Sequence, residues 1–168
     1  MADVTVRRAD ASADRTACYA IRAAVFAEEQ GVRGAEKGDH DDPTAIHALG
    51  LVDGIAAGTG RLHVVRARRG PEGQIAWVSV LPQFRRMGVA TAIMAHLMEA
   101  ARDLDLPYVT LSAQTYAKGL YESFGFEPMS TPFHMANIEH QMMIAHLSGQ
   151  QAVSPSPNPS PERGGEPE

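Results

Sequence analysis

The chain has one cysteine, Cys18, so it can build neither an intramolecular disulfide nor a cysteine-based zinc site, and a reducing cytoplasm suits it. Positive charge is in deficit, with 15 Lys and Arg against 20 Asp and Glu and a formal net charge of -5. With a pI near 5.8 the chain lacks the basic excess that phosphate-backbone binding usually needs, which argues against a nucleic-acid partner. Asp3, Asp10 and Asp14 interrupt any apolar stretch at the N-terminus, so no signal peptide is read, and no later window approaches a membrane span. Neither Gly-x-Gly-x-x-Gly nor a Walker-type Gly-Lys-Ser/Thr occurs, which makes a nucleotide-binding protein remote, and there is no internal repeat.

What is present is apolar material for one core: 44% hydrophobic residues and 21% charged ones in 168 residues. Val4 to Arg8 alternates as a short strand, after which Asp10 or Ser12 can cap a helix carrying Cys18, Ile21 and Val25 on one face until near Gly31. Glu28 to Asp42 is acidic, Gly-containing and aperiodic, and is expected to be a loop. His47 to Val52 and Ile55 to Leu62 flank Asp53-Gly54, a hairpin signal. Arg66 to Gly73 reads as basic and turn-prone, and Ile75 with Trp77 to Val80 as a buried central strand.

From Val89 the apolar residues Ile93, Met94, Leu97, Met98, Ala101 and Leu104 keep a helical period that ends before Pro107. Tyr108 to Leu111 reads as a strand, Ala117 to Phe124 as a short helix, and Phe126 onward with Ile138 to Ile144 as a terminal strand pair. The order is mixed α/β. Residues 1–147 are expected to form one domain, and residues 148–168, rich in Ser, Pro, Gly and Glu, a disordered tail.

Chemistry concentrates at Arg85-Arg86-Met87-Gly88-Val89-Ala90, between the central strand and the longest helix. The first N–H groups of a helix have no internal partner and carry the positive end of its dipole, so a phosphate placed there is bound by main chain. Gly88 and the small Ala90 permit close approach, and the arginines add positive charge. A strand, a basic turn and a helix can equally be an ordinary connection. The second segment, Ala117-Lys118-Gly119-Leu120-Tyr121-Glu122-Ser123-Phe124-Gly125-Phe126, follows the next strand.

In these two motifs the chain resembles the GNAT superfamily of N-acetyltransferases. Arg85, Gly88 and Ala90 fill the positions of that family's CoA-pyrophosphate turn, and Tyr121, Gly125 and Phe126 those of its Tyr-x-x-x-Gly-Phe hallmark. The resemblance runs from Val4 to about His146 and is greatest with the ElaA-like branch, through Val25-Phe26, Glu29-Gln30-Gly31-Val32, His47, Ala113-Gln114, His140 and Met142. One departure is Met135-Ala136-Asn137-Ile138, where relatives tend to place an acidic residue and a glycine; Asn137 still suits a turn.

The resemblance implies a central mixed, mostly antiparallel sheet splayed at its middle strands and flanked by helices, with acetyl-CoA as co-substrate. It implies that Val78, Val80, Arg85, Arg86, Met87, Gly88, Val89, Ala90 and Gln114 hold the cofactor, a backbone N–H near Val80 polarising the thioester carbonyl. Tyr121 is then the general acid for the leaving thiolate, against a reading in which it only packs on the preceding turn. For the general base, Glu29, His47, Gln114 with a water, and His140 stay open; Glu29, His47 and His140 are carried as substrate-side residues. Asp39-His40-Asp41-Asp42 with His47 matches no metal-ligand spacing, so no metal is expected. The acidic loop is read either as a solvated face or as an electrostatic lure for a cationic amine. The function implied is transfer of acetyl to a primary amine of a small molecule by a monomer or homodimer, the alternative being a non-catalytic acyl-CoA-binding module.

Overall fold

The computed structural model describes residues 1–147; the expected tail, residues 148–168, lies outside the described residues. In chain order the elements are β1 (Val4–Arg8), α1 (Ser12–Arg22), β2 (Ile46–Val52), β3 (Ile55–Ala67), β4 (Gly70–Val80), α2 (Val89–Asp103), β5 (Tyr108–Gln114), α3 (Lys118–Glu122), β6 (Glu127–Pro128), β7 (Phe133–Met135) and β8 (Ile138–His146). The strands form one sheet in the order β1-β2-β3-β4-β5-β8-β6, with β7 also paired to β8. Among the described residues only β4 and β5 run parallel; every other pairing is antiparallel.

Alternation along β2 divides the core. Ala48 and Val52 face the large apolar cluster built around α2, whereas Leu49 and Leu51 face α1 through Cys18 and Ile21. All six periodic positions from Val89 to Ala101 on α2 are buried. The helix seats close to the sheet because glycine lies beneath it: a Cβ on Gly60 would stand 2.8 Å from Ile93 Cγ2 and 3.0 Å from Leu97 Cδ1. The Asp53-Gly54 turn forms as its chemistry requires, with φ of 50 and 81 and Val52 paired to Ile55.

Two sequence expectations change. The stretch Arg66 to Gly73 is mostly strand, since β3 continues to Ala67 and β4 begins at Gly70, leaving Arg68-Arg69 as the turn. Cross-strand pairing of Val64 to Gly73 and Val65 to Glu72 overrides the turn propensity of the sequence. The helix from Ser12 does reach Glu29, but its last seven residues, Ala23–Glu29, are π-helical, a form common at functional sites.

The acidic loop is exposed along much of its length, Glu28 and Glu36 included, but two of its acids turn inward. Asp42 Oδ1 accepts from Arg22 Nη1 at 2.9 Å and Arg61 Nη1 at 2.8 Å, and its Oδ2 accepts from Arg22 Nη2 at 3.2 Å and the Asp39 N–H at 2.7 Å. Arg22, Asp42 and Arg61 are 1%, 2% and 6% exposed. Asp39 accepts from Arg61 Nη1 at 2.7 Å and from Trp77 Nε1 at 3.2 Å. Burial alone would raise the Asp42 carboxyl, but hydrogen bonds from Arg22 and Arg61 overcome it and hold the group well below the carboxylate range.

Replacing Asp42 with Asn leaves two buried guanidinium groups short of counter-charge, so Asp42→Asn is expected to lower stability by about 3–5 kcal/mol, read from urea unfolding at neutral pH. In the wild-type chain the contribution of Asp42 is present above the unfolded carboxylate pKa, near about 3.9, and is lost as pH falls through its depressed folded value. Acid unfolding followed by circular dichroism is therefore expected to be displaced toward neutral pH in weaker pairs such as Arg61→Gln.

Candidate active site

The parallel ladder between β4 and β5 covers only Gly73 to Val109, Gln74 to Thr110 and Ile75 to Leu111. Beyond it β4 carries a bulge: Arg61 pairs with Ala76 and Thr59 with Ser79, so Trp77 and Val78 together oppose Gly60. Trp77 takes a φ of 61, costly for an aromatic residue. It is held there by the Asp39 bond, by Arg22 lying 4.6 Å over its ring, and by Phe26 edge-on at 5.1 Å. The Leu81 N–H bonds back to the Ala57 carbonyl on β3, so strand alternation turns the main-chain groups of Val80 and Val78 toward the β5 side. There the ladder has ended, and apart from the Val80 carbonyl, which accepts from Arg85, this edge of β4 is open.

The open edge leads to the start of α2. Arg86 and Gly88 have φ of 66 and 84, and Gly88 is the N-cap. Its positive φ favours glycine, and a Cβ there would meet nothing within 4 Å, so the space above the turn is clear. The first helical bond runs from the Ala92 N–H to the Gly88 carbonyl and no side chain caps the helix, which leaves the N–H groups of Val89, Ala90 and Thr91 to an outside acceptor. The Val89 side chain itself is buried in the core, so only its main chain faces the turn; Arg86 and Met87 are exposed. A pyrophosphate fits this cradle.

Arg85 is already engaged. Its Nε donates to the Val80 carbonyl at 2.9 Å, and its fork meets Glu29 at 2.7 and 2.8 Å. Glu29 therefore lies beside Arg85 at the turn before α2 and does not line the cavity where a substrate-side residue was expected. The hydrogen bonds from Arg85 lower its carboxyl.

Between the splayed strands lies a cavity of about 330 Å3, lined by Trp77, Val78, Leu111, Gln114, Tyr121 and His140 among others. Tyr121 is 8% exposed, packs edge-on to Phe126, and burial pushes its phenol up to about 12. Packing and access to the cavity are thus properties of the same residue. His140 lies 6.0 Å from Phe133 in a stacked pair, and its Nδ1 is 2.7 Å from the Ile138 carbonyl. A carbonyl only accepts, so Nδ1 carries the proton and Nε2 of the neutral ring is left as an acceptor. Gln114 exchanges amide hydrogen bonds with Gln30 at 2.9 and 3.3 Å, tying the end of the π-helical segment across the cleft to β5.

His47 does not reach the cavity. It is 1% exposed, its Nε2–H donates to the Asp42 carbonyl at 2.9 Å, and burial pushes its pKa down. It braces the acidic loop. The residues that sequence reasoning missed are Gln30, Phe26, Tyr116 and Ala136, all brought to this cavity or its rim by tertiary contacts. Only Phe26 and Gln30 had a signal, as members of segments that carry the family likeness. Among the described residues no group of His, Cys, Asp and Glu is arranged to hold a metal ion.

Comparison with known proteins gives the family and the fold. The profile of the acetyltransferase (GNAT) family matches residues 12–126. A Bacillus subtilis (strain 168) protein carrying an acetyltransferase name is 27% identical over 143 residues, 83% of this chain and 95% of its own. The crystal structure of an acyl-CoA N-acyltransferase from Pseudomonas aeruginosa superposes with a TM-score of 0.68 at 25% identity, covering 86% of this chain and 99% of that one. Escherichia coli ElaA shares the fold at 23% identity with a TM-score of 0.72, covering 87% and 100% of the two chains.

Glu29 sets a carboxylate beside the cradle and occupies the fork of Arg85. Glu29→Gln is therefore expected to tighten CoA binding by about fivefold at low salt, an exposed charge contact at close range being worth about 1 kcal/mol. Calorimetric titration at two ionic strengths checks this, because the gain should shrink as salt rises.

Proposed function

We propose that this chain, which belongs to the GNAT acetyltransferase family and is an acetyl-CoA-dependent N-acyltransferase, acetylates the primary amine of a small molecule by direct attack on the thioester. The observation that carries the reading is the continuity of three features: an uncapped helix start at Gly88, an open β4 edge, and a cavity shared by Tyr121 and His140.

Acetyl-CoA supplies an activated acyl carbonyl. The N–H groups at the start of α2, with Arg85 and Arg86, hold the pyrophosphate, and the edge at Val78 and Val80 pairs with the pantetheine arm. The Val80 N–H meets the carbonyl oxygen as charge develops there. The amine nitrogen bonds to the acyl carbon and the carbon–sulfur bond breaks. Sulfur leaves with that electron pair and takes the Tyr121 proton, while the surplus proton on nitrogen passes to His140 Nε2. Gln114, tied to Gln30, closes the cleft beside them. Among the described residues no helix is long and apolar enough to cross a membrane, and the buried thiol of Cys18 suits a reducing compartment; we place the enzyme in the cytoplasm.

Tyr121→Phe is expected to bind CoA as the wild type does and to lose about 10²- to 10⁴-fold in kcat, measured by thiol release. Gly88→Glu, which sets a carboxylate in the cradle, should abolish CoA binding by calorimetry. Wild-type protein that binds CoA but transfers acetyl to no amine would leave the binding-module reading standing. Because the Tyr121 phenol loses its proton only as pH rises through about 12, the rate should show no alkaline fall from this group up to about pH 10.

A further inference from the structure

The cavity is notable for the charges it lacks. Among the described residues no Asp, Glu, Lys or Arg lines it; its polar groups are the neutral side chains of Ser112, Gln114, Tyr116 and Tyr121 and the imidazole of His140. Of the nearby acids, Asp39 and Asp42 are paired with Arg61 and Arg22 and Glu29 with Arg85, while Glu28, Glu36 and Glu139 are exposed and lie outside the lining. The rest of the lining is apolar or aromatic, Phe26, Val32, Trp77 and Ile138 among it.

An ammonium or carboxylate brought into such a space sheds its water and finds no counter-charge. The reacting nitrogen is the exception, since it enters as the free amine and gives up its one surplus proton after attack, and His140 Nε2 offers one acceptor for that one proton. A second ammonium has none, and a carboxylate on the acceptor has no Arg or Lys to meet it. We propose that the acceptor is a primary amine on an apolar, otherwise uncharged body, and that polyamines and amino acids are excluded. This rests on the transferase reading above.

Matched pairs of acceptors test it on the wild-type enzyme with acetyl-CoA: pentylamine against cadaverine, which adds a second amino group, and phenethylamine against phenylalanine, which adds a carboxylate. In each pair the uncharged body is expected to win by about tenfold or more in kcat/KM. Ala136 supplies a gain-of-function arm, because it lines the cavity at a φ of 54 that Asp adopts more readily than Ala. Ala136→Asp should move the cadaverine to pentylamine ratio toward cadaverine by about tenfold, with CoA titration confirming the fold. Equal or better use of cadaverine or phenylalanine by the wild type overturns the inference and leaves the transferase reading intact. An unmoved ratio in folded Ala136→Asp overturns the placement of the acceptor against that wall. No transfer to any amine by protein that binds CoA overturns the transferase reading, and this inference with it.

Discussion

Asp42 lies between two buried guanidinium groups, and the shape of the cleft depends on it. Arg22 comes from the end of α1 and Arg61 from β3, so one carboxylate joins a helix, a strand and the loop between them. Without it Arg22 would be an isolated interior charge, which costs far more than its remaining contacts return, and Arg61 would keep only Asp39. Arg22 in turn covers the Trp77 ring, and Asp39 accepts from the indole. The ion cluster thus holds Trp77 in the left-handed conformation that makes the bulge.

The bulge is where architecture becomes chemistry. Without the extra residue opposite Gly60, β4 would keep pairing along β5 and its main-chain groups would be consumed by the sheet. With it, the ladder ends at Ile75 and a row of N–H and C=O groups faces a cavity. A sheet edge in a protein interior is ordinarily a liability. Here it is a surface on which an extended, amide-bearing arm can complete the hydrogen bonds, and it ends beside the uncapped turn at Gly88.

The histidines show how much a local environment decides. His47 and His140 both sit on strands and both contact a backbone carbonyl, yet one ring is enclosed behind the acidic loop and the other opens on the cavity. Strand alternation and the neighbours on each face separate them, not residue type. Glu29 and Gln30 are adjacent in the chain, and the π-helical segment directs one to Arg85 and the other to Gln114. Together they strap the end of the first helix across both sides of the split.

Features that depend on a few consecutive residues are legible in the amino-acid sequence. The Asp53-Gly54 hairpin, the periodic face of α2 and the Gly88 turn each follow from local conformational preference and spacing, and the two motifs that carry the family likeness are of the same kind. Relations between distant residues are not legible there: Asp42 with Arg22 and Arg61, Gln30 with Gln114, Glu29 with Arg85, and the one-residue mismatch between β3 and β4. Sequence alone makes an acidic loop look like a solvated or steering surface, because charge composition carries no record of which cations lie opposite. Only the tertiary structure decides which charges are neutralised, since pairing depends on distance in space, and with it whether a cavity is left charged or neutral.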